Sequence, residues 1–240
     1  MALKARFSIF ENVGSSISTL VSKFGGQPVW LNSPSWPLDP VTNEQMLFLC
    51  QLDLVEPIFS KAVGTMVYIF VSDAEIQYDE GIAVIIQSGT SVIKCADSEI
   101  SFVSKAKGPS IYEIRDDGSE IEKEYRLEFE SVENETDISL EEIDDIFEID
   151  LKEGYRFFRP EFSGNKMGGL PIVIGGFSNL PEFYSQEDWH LLLQLAPIDG
   201  YWNNREANFF PFHMELGEFG ILTIFISKDY TQAVAYVQQP

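Results

Sequence analysis

Short apolar runs recur along the chain, separated by polar, glycine- and proline-bearing stretches, and most are too short to be helices. Met46 to Leu54, Thr65 to Ser72 and Ile82 to Gln87 are rich in Val, Ile, Phe and Tyr, as strands buried on both faces should be. Trp189 to Ala196, Gly220 to Ser227 and Ala233 to Gln238 repeat the three in the same order. Weaker strands are expected at Ile100 to Val103, Ile111 to Ile114 and Tyr125 to Phe129, the last alternating apolar and polar as a half-wet strand does. Residues 1–13 are mixed and define no element.

The recurrence is a duplication. SKFGGQPVW (Ser22 to Trp30) returns as NKMGGLPIV (Asn165 to Val173), and Gln51 and Gln194 stand at the same offset as the glycines, 194 − 51 = 168 − 25 = 143. Ser72 and Ser227 are 155 apart, so the second copy gains 155 − 143 = 12 residues, placed at Tyr201 to Phe212 (YWNNREANFFPF). The repeat spans 22–87 and 165–238, and two halves that share one core predict a single domain over 1–240.

Two helices are expected. Ser15 or Ser16 caps a short one through Ile17, Leu20 and Val21, closed by Gly25 and Gly26, with Pro28 unable to continue it. The second runs through 139–149, where Ser139 and Glu142 form a capping box ahead of Leu140, Ile143 and Phe147. The predicted class is therefore α+β, mostly β, with pseudo-symmetric halves packed as one domain. Gly25, Gly26, Pro28, Gly168, Gly169 and Pro171 are assigned to structural corners, glycine for turn geometry. Gln51 and Gln194, amides inside apolar strands, are assigned to pinning those strands.

Charge changes the picture of function. The chain carries 38 acidic and 16 basic residues, net −22, a surface that repels nucleic acid and anionic membrane and attracts basic protein. The segment 113–153 holds 18 acidic and 4 basic residues, so −14 of that total lies between the repeats. Cys50 and Cys95 allow no zinc spacing and read as buried thiols of a reducing compartment. The N-terminus shows neither a signal peptide nor a membrane span, and the expected location is the cytoplasm.

No catalytic pattern emerges from the same pass. His190 and His213 are the only histidines, far apart and without a metal-binding spacing. The glycine pairs lack the Lys-Ser/Thr and following helix of a phosphate loop. No cofactor or metal is expected, and the chain is expected not to be an enzyme.

Lys23-Phe24-Gly25-Gly26-Gln27-Pro28, Trp36-Pro37 and Phe48-Leu49-Cys50-Gln51-Leu52-Asp53, with the second round at Lys166 to Pro171 and Leu193-Gln194-Leu195, resemble the YwqG-like family of bacterial proteins. The resemblance implies a cytosolic duplicated α+β fold and, through relatives that accompany antibacterial toxins, an immunity protein. The expected partner is a toxin with a basic surface, a nuclease, blocked by stoichiometric binding. Glu141, Glu142, Asp144, Asp145 and Glu148 would meet its cations, and Tyr201, Trp202, Phe209 and Phe210 would anchor the contact. The alternative is a small-ligand or peptide module with a pocket between the halves near Gln51 and Gln194.

Overall fold

The computed structural model describes residues 2–12, 15–60, 62, 64–76, 81–96, 98–129, 133–135, 164–172, 188–196, 212–217 and 220–239. The first half supplies β1 (Ala2–Asn12), β2 (Lys23–Gly25), β3 (Trp36–Leu38), β4 (Leu47–Asp53), β5 (Thr65–Val71), β6 (Ile82–Ser88), β7 (Ser91–Cys95) and β8 (Ser101–Val103). There follow β9 (Tyr112–Ile114), β10 (Glu120–Glu122), β11 (Glu124–Phe129), β12 (Glu133–Glu135), β13 (Lys166–Gly168), β14 (Trp189–Leu195), β15 (Ile221–Ser227) and β16 (Ala233–Gln238). One sheet runs β16-β15-β14-β13-β1-β11-β2-β4-β5-β6-β7, with β12 also on β1; β9 pairs β10, and β3 pairs β8. Every ladder in it is antiparallel.

The duplication is carried by the ladders themselves. The long strand β1 lies against β11 and β12 on one side and against β13 on the other, while β11 lies against β2. Lys4 faces Gly168 as Glu124 faces Gly25, so β1 and β11 are counterparts and the pseudo-twofold passes between them. The β4–β5 ladder skips at Leu49 and the β14–β15 ladder skips at Leu192, so even the bulge is repeated at the offset of 192 − 49 = 143.

Alternation sorts the buried residues onto two faces. Phe24, Leu52, Val67, Ile69, Val84 and Ile86 of the first copy share one cluster with Met167, Leu193, Leu195, Ile224 and Val237 of the second. The sheet curls so that β16 packs beside β6, and the Ala233 N–H donates to Cys95 Sγ at 3.2 Å. On the opposite face of β4, β5 and β6, Phe48, Met66, Tyr68, Phe70 and Ile85 form a second cluster closed by Trp36 and Ile100.

The α+β class is corrected to all-β: the described residues contain no helix. The helix expected at Ile17 to Val21 does not form, because its backbone is tied elsewhere. The Ile17 N–H donates to Glu124 Oε2, the Val21 carbonyl accepts from Gln51 Nε2, and Lys23 to Gly25 are drawn into strand β2 between β11 and β4. The segment 15–20 keeps only Ile17 partly buried, too little apolar contact to hold one helical turn. The helix expected at 139–149 lies outside the described residues.

The double glycine closes a strand instead of a helix. Gly25 and Gly26 have φ of 68° and 66°, and Gly168 and Gly169 have 70° and 76°, so each pair turns the chain left-handedly just after a three-residue strand. A Cβ on Gly25 would stand 2.2 Å from the Lys123 carbonyl oxygen and 2.8 Å from the Phe212 ring. The lysine two residues earlier in both copies completes the turn: Lys23 Nζ donates to the Gln27 carbonyl at 2.5 Å, and Lys166 Nζ to the Leu170 carbonyl at 2.6 Å. Pro28 and Pro171 follow as buried residues that carry the chain away.

After the turn, the chain crosses the sheet without joining it, and side chains satisfy its backbone. Gln51 Oε1 accepts from the Val29 N–H, the Tyr68 hydroxyl donates to the Val29 carbonyl and accepts from the Leu31 N–H, and Gln87 accepts from the Asn32 N–H and donates to the Ser33 carbonyl. The second copy repeats the device with Gln194 on the Ile172 N–H and Gln238 on the Ile172 carbonyl. Replacing Gln51 by Leu orphans the Val29 N–H and the Val21 carbonyl, and urea unfolding should show a loss of about 2 kcal/mol.

Candidate functional site

The hairpin β9–β10 begins where Ile111 leaves the core. Its strands pair Tyr112 with Glu122 and Ile114 with Glu120, which puts these four side chains on one face and Glu113 and Ile121 on the other. The tip is set by Gly118 at φ 78° and by Asp117, whose Oδ1 accepts from the Ser119 N–H at 2.9 Å and hydroxyl at 2.6 Å. Those two bonds hold the Asp117 carboxyl below its ordinary value. On the inner face Glu113 pairs with Lys123 and accepts from the Tyr125 hydroxyl, so the Lys123 cation is already engaged.

Two distant segments are stitched beside this hairpin. The His213 N–H donates to the Tyr112 carbonyl at 2.8 Å; the Glu215 N–H donates to the Ala74 carbonyl at 2.8 Å, and the Ile76 N–H to the Glu215 carbonyl at 2.7 Å. Asp73, Glu75, Glu120, Glu122 and Glu215 are thereby exposed around a half-buried Tyr112. Burial raises the Tyr112 hydroxyl first, and the charges of Glu120, Asp73 and Glu75 raise it further, which places those carboxylates within one field. The His213 ring lies tilted against Tyr112 at 5.9 Å between centroids. The arrangement offers an aromatic centre inside a ring of carboxylates, which suits cationic groups of a partner protein.

Glu122 also borders the glycine turn. It lines a cleft of about 490 Å³ with Ser15, Ser16, Gly26, Gln27, Lys123 and Glu124. Below lies Lys23, fully buried, with Nζ shared among Glu124, the Gln27 carbonyl and, at 3.4 Å, the Ile17 carbonyl. Burial lowers its pKa and Glu124 opposes that shift. Lys23, Glu124 and Gln27 hold the 15–27 segment, so the motif that organises the duplication is scaffold beside the acidic face.

The anticipated partner-binding residues, Glu141, Glu142, Asp144, Asp145, Glu148, Tyr201, Trp202, Phe209 and Phe210, all lie outside the described residues. Phe212, the last aromatic of the insertion, is described: it is buried and meets Tyr125 edge-on at 5.4 Å, over Gly25. Gln51 and Gln194 occupy β4 and β14, with four strands between them in the sheet, and each amide serves its own copy's turn. The histidines are apart: His190 stacks on Tyr230 at 6.4 Å and meets Phe59 at 6.3 Å, whereas His213 lies by Tyr112. Among the described residues no group of three or more His, Cys, Asp or Glu is placed to hold a metal ion.

Sequence reasoning missed Asp73, Glu75, Tyr112 and Glu215 as members of one face, since only strand pairing brings them together. It also missed Tyr68, Gln87 and Gln238; a glutamine closing both IAVIIQ and AVAYVQ was a legible signal.

The described residues form an all-β duplicated sheet with an acidic face. Residues 22–238 match the domain of unknown function DUF1963, and the chain belongs to that family. No curated protein and no solved structure matches it.

Proposed function

We propose that the protein is a stoichiometric binder of a basic protein, acting without catalysis, and that its partner is a bacterial toxin of nuclease type. In this reading it is a cytoplasmic immunity protein of YwqG-like character, whose acidic face covers the toxin's cationic groove in place of DNA phosphates. The observation that carries the proposal is the set of exposed carboxylates, Asp73, Glu75, Glu120, Glu122 and Glu215, gathered around Tyr112 from three separate chain segments. The net charge of −22 extends the same attraction to long range.

The test is titration of the purified chain against the product of the gene adjacent to its own, by calorimetry and by a DNA- or RNA-cleavage assay. A one-to-one complex that arrests cleavage is expected. Absence of both binding and protection would sink the reading. Within a working complex, Tyr112→Ala should weaken affinity by about tenfold to a hundredfold, as loss of a central aromatic does.

A further inference from the structure

A second cleft, which shares no lining residue with the acidic face, lies at the end of β4. It has a volume of about 540 Å³ and is lined by Leu20, Leu31, Leu54, Val55 and Met66, with Asp53 and Glu56 as its charged members and Gly64 at its edge. That size and apolar lining, with few polar groups, are those of a small-molecule site.

Asp53 is the unusual residue. It is half-buried, its backbone N–H is held by Ser22 Oγ at 2.9 Å, and no donor or cation among the described residues reaches its carboxylate. Burial alone shifts the group, raising its pKa. An unpaired, partly desolvated carboxylate costs stability, so a structural role should show in the other copy. It does not: the equivalent backbone bond runs from the Ala196 N–H to Asn165 Oδ1, and alanine stands where Asp53 stands, 196 − 53 = 143. The duplication keeps the bond and leaves out the carboxylate.

We infer that this cleft binds a small organic ammonium with an apolar body, its cation on Asp53 and its chain between Leu31, Leu54 and Met66. Charge complementarity chooses the head group, and the apolar walls choose the rest. A bare inorganic or methylated cation would leave the walls empty, and a neutral alcohol would leave Asp53 unpaired. The second copy, with Ala196, lacks the carboxylate that would hold the cation.

Calorimetric titration of the full chain with hexylammonium, methylammonium and hexanol at fixed ionic strength tests this. Hexylammonium should bind saturably at one site, and the other two at least tenfold more weakly. Asp53→Asn should reduce hexylammonium affinity at least tenfold while the unliganded variant melts no lower than wild type. Glu120→Gln, on the acidic face, should bind hexylammonium unchanged. Equal binding of hexanol, retained binding in Asp53→Asn, no saturable hexylammonium binding, or a melting temperature that drops in Asp53→Asn would each overturn the inference.

Discussion

Replacing Lys23 by methionine should lower the stability of the chain by about 3 to 5 kcal/mol, the cost of removing one partner from a buried ion pair. Methionine keeps most of the apolar stem of this fully buried residue, so the loss reads the ammonium and not a cavity. What remains is a Glu124 carboxylate, 11% exposed, that keeps only the Ile17 N–H, and a Gln27 carbonyl with nothing to close the glycine turn. Because burial lowers the Lys23 pKa, the pair itself contributes little net stability, and Lys23→Met combined with Glu124→Leu should recover much of the loss. Urea unfolding of the two variants checks both halves; a single-variant loss under about 1 kcal/mol would show that the turn does not depend on its lysine.

The second large effect is on association. Changing Asp73, Glu75, Glu120 and Glu122 to lysine alters the face by eight charge units, and the association rate with a basic partner should fall by about 100-fold or more at low salt. These side chains are exposed, and their one hydrogen bond among the described residues is Asp73 Oδ1 accepting from the adjacent Ala74 N–H, so the unfolding midpoint should fall little from that of wild type. A variant that binds as before would move the contact elsewhere on the molecule.

Much of the sheet was legible. The strong apolar runs became β4, β5, β6, β14, β15 and β16 because Val, Ile, Phe and Leu on both faces leave no wet side for a helix or loop. The strand β1 was illegible only in part, since Leu3, Ala5, Phe7 and Ile9 do alternate with Lys4, Arg6 and Ser8. The double glycine announced left-handed residues correctly, but a glycine after a helix and a glycine after a three-residue strand look alike in sequence. What decided between them was the pairing of Lys23 to Gly25 with β11 and β4, residues distant in sequence that nothing local signals.

The acidic face was legible as charge and not as place. Composition located the excess between 113 and 153, where Glu120 and Glu122 do lie. Asp73, Glu75 and Glu215 join them only because 74–76 pairs with 215 and His213 bonds to Tyr112, contacts made across the duplication by segments that share no repeat. The aromatic insertion was read as surface, yet its end, Phe212, packs onto Gly25 in the core. Phe212 is thereby anchored on the turn that the first repeat builds.

The most direct test of binding through the acidic face is the association rate with the product of the adjacent gene, followed by stopped flow from about 0.05 to 0.5 M salt. Wild type should bind fast and slow steeply with salt, while the variant with lysine at 73, 75, 120 and 122 binds slowly with little salt dependence. Rates that are the same for both proteins, or flat in salt for wild type, would contradict the account.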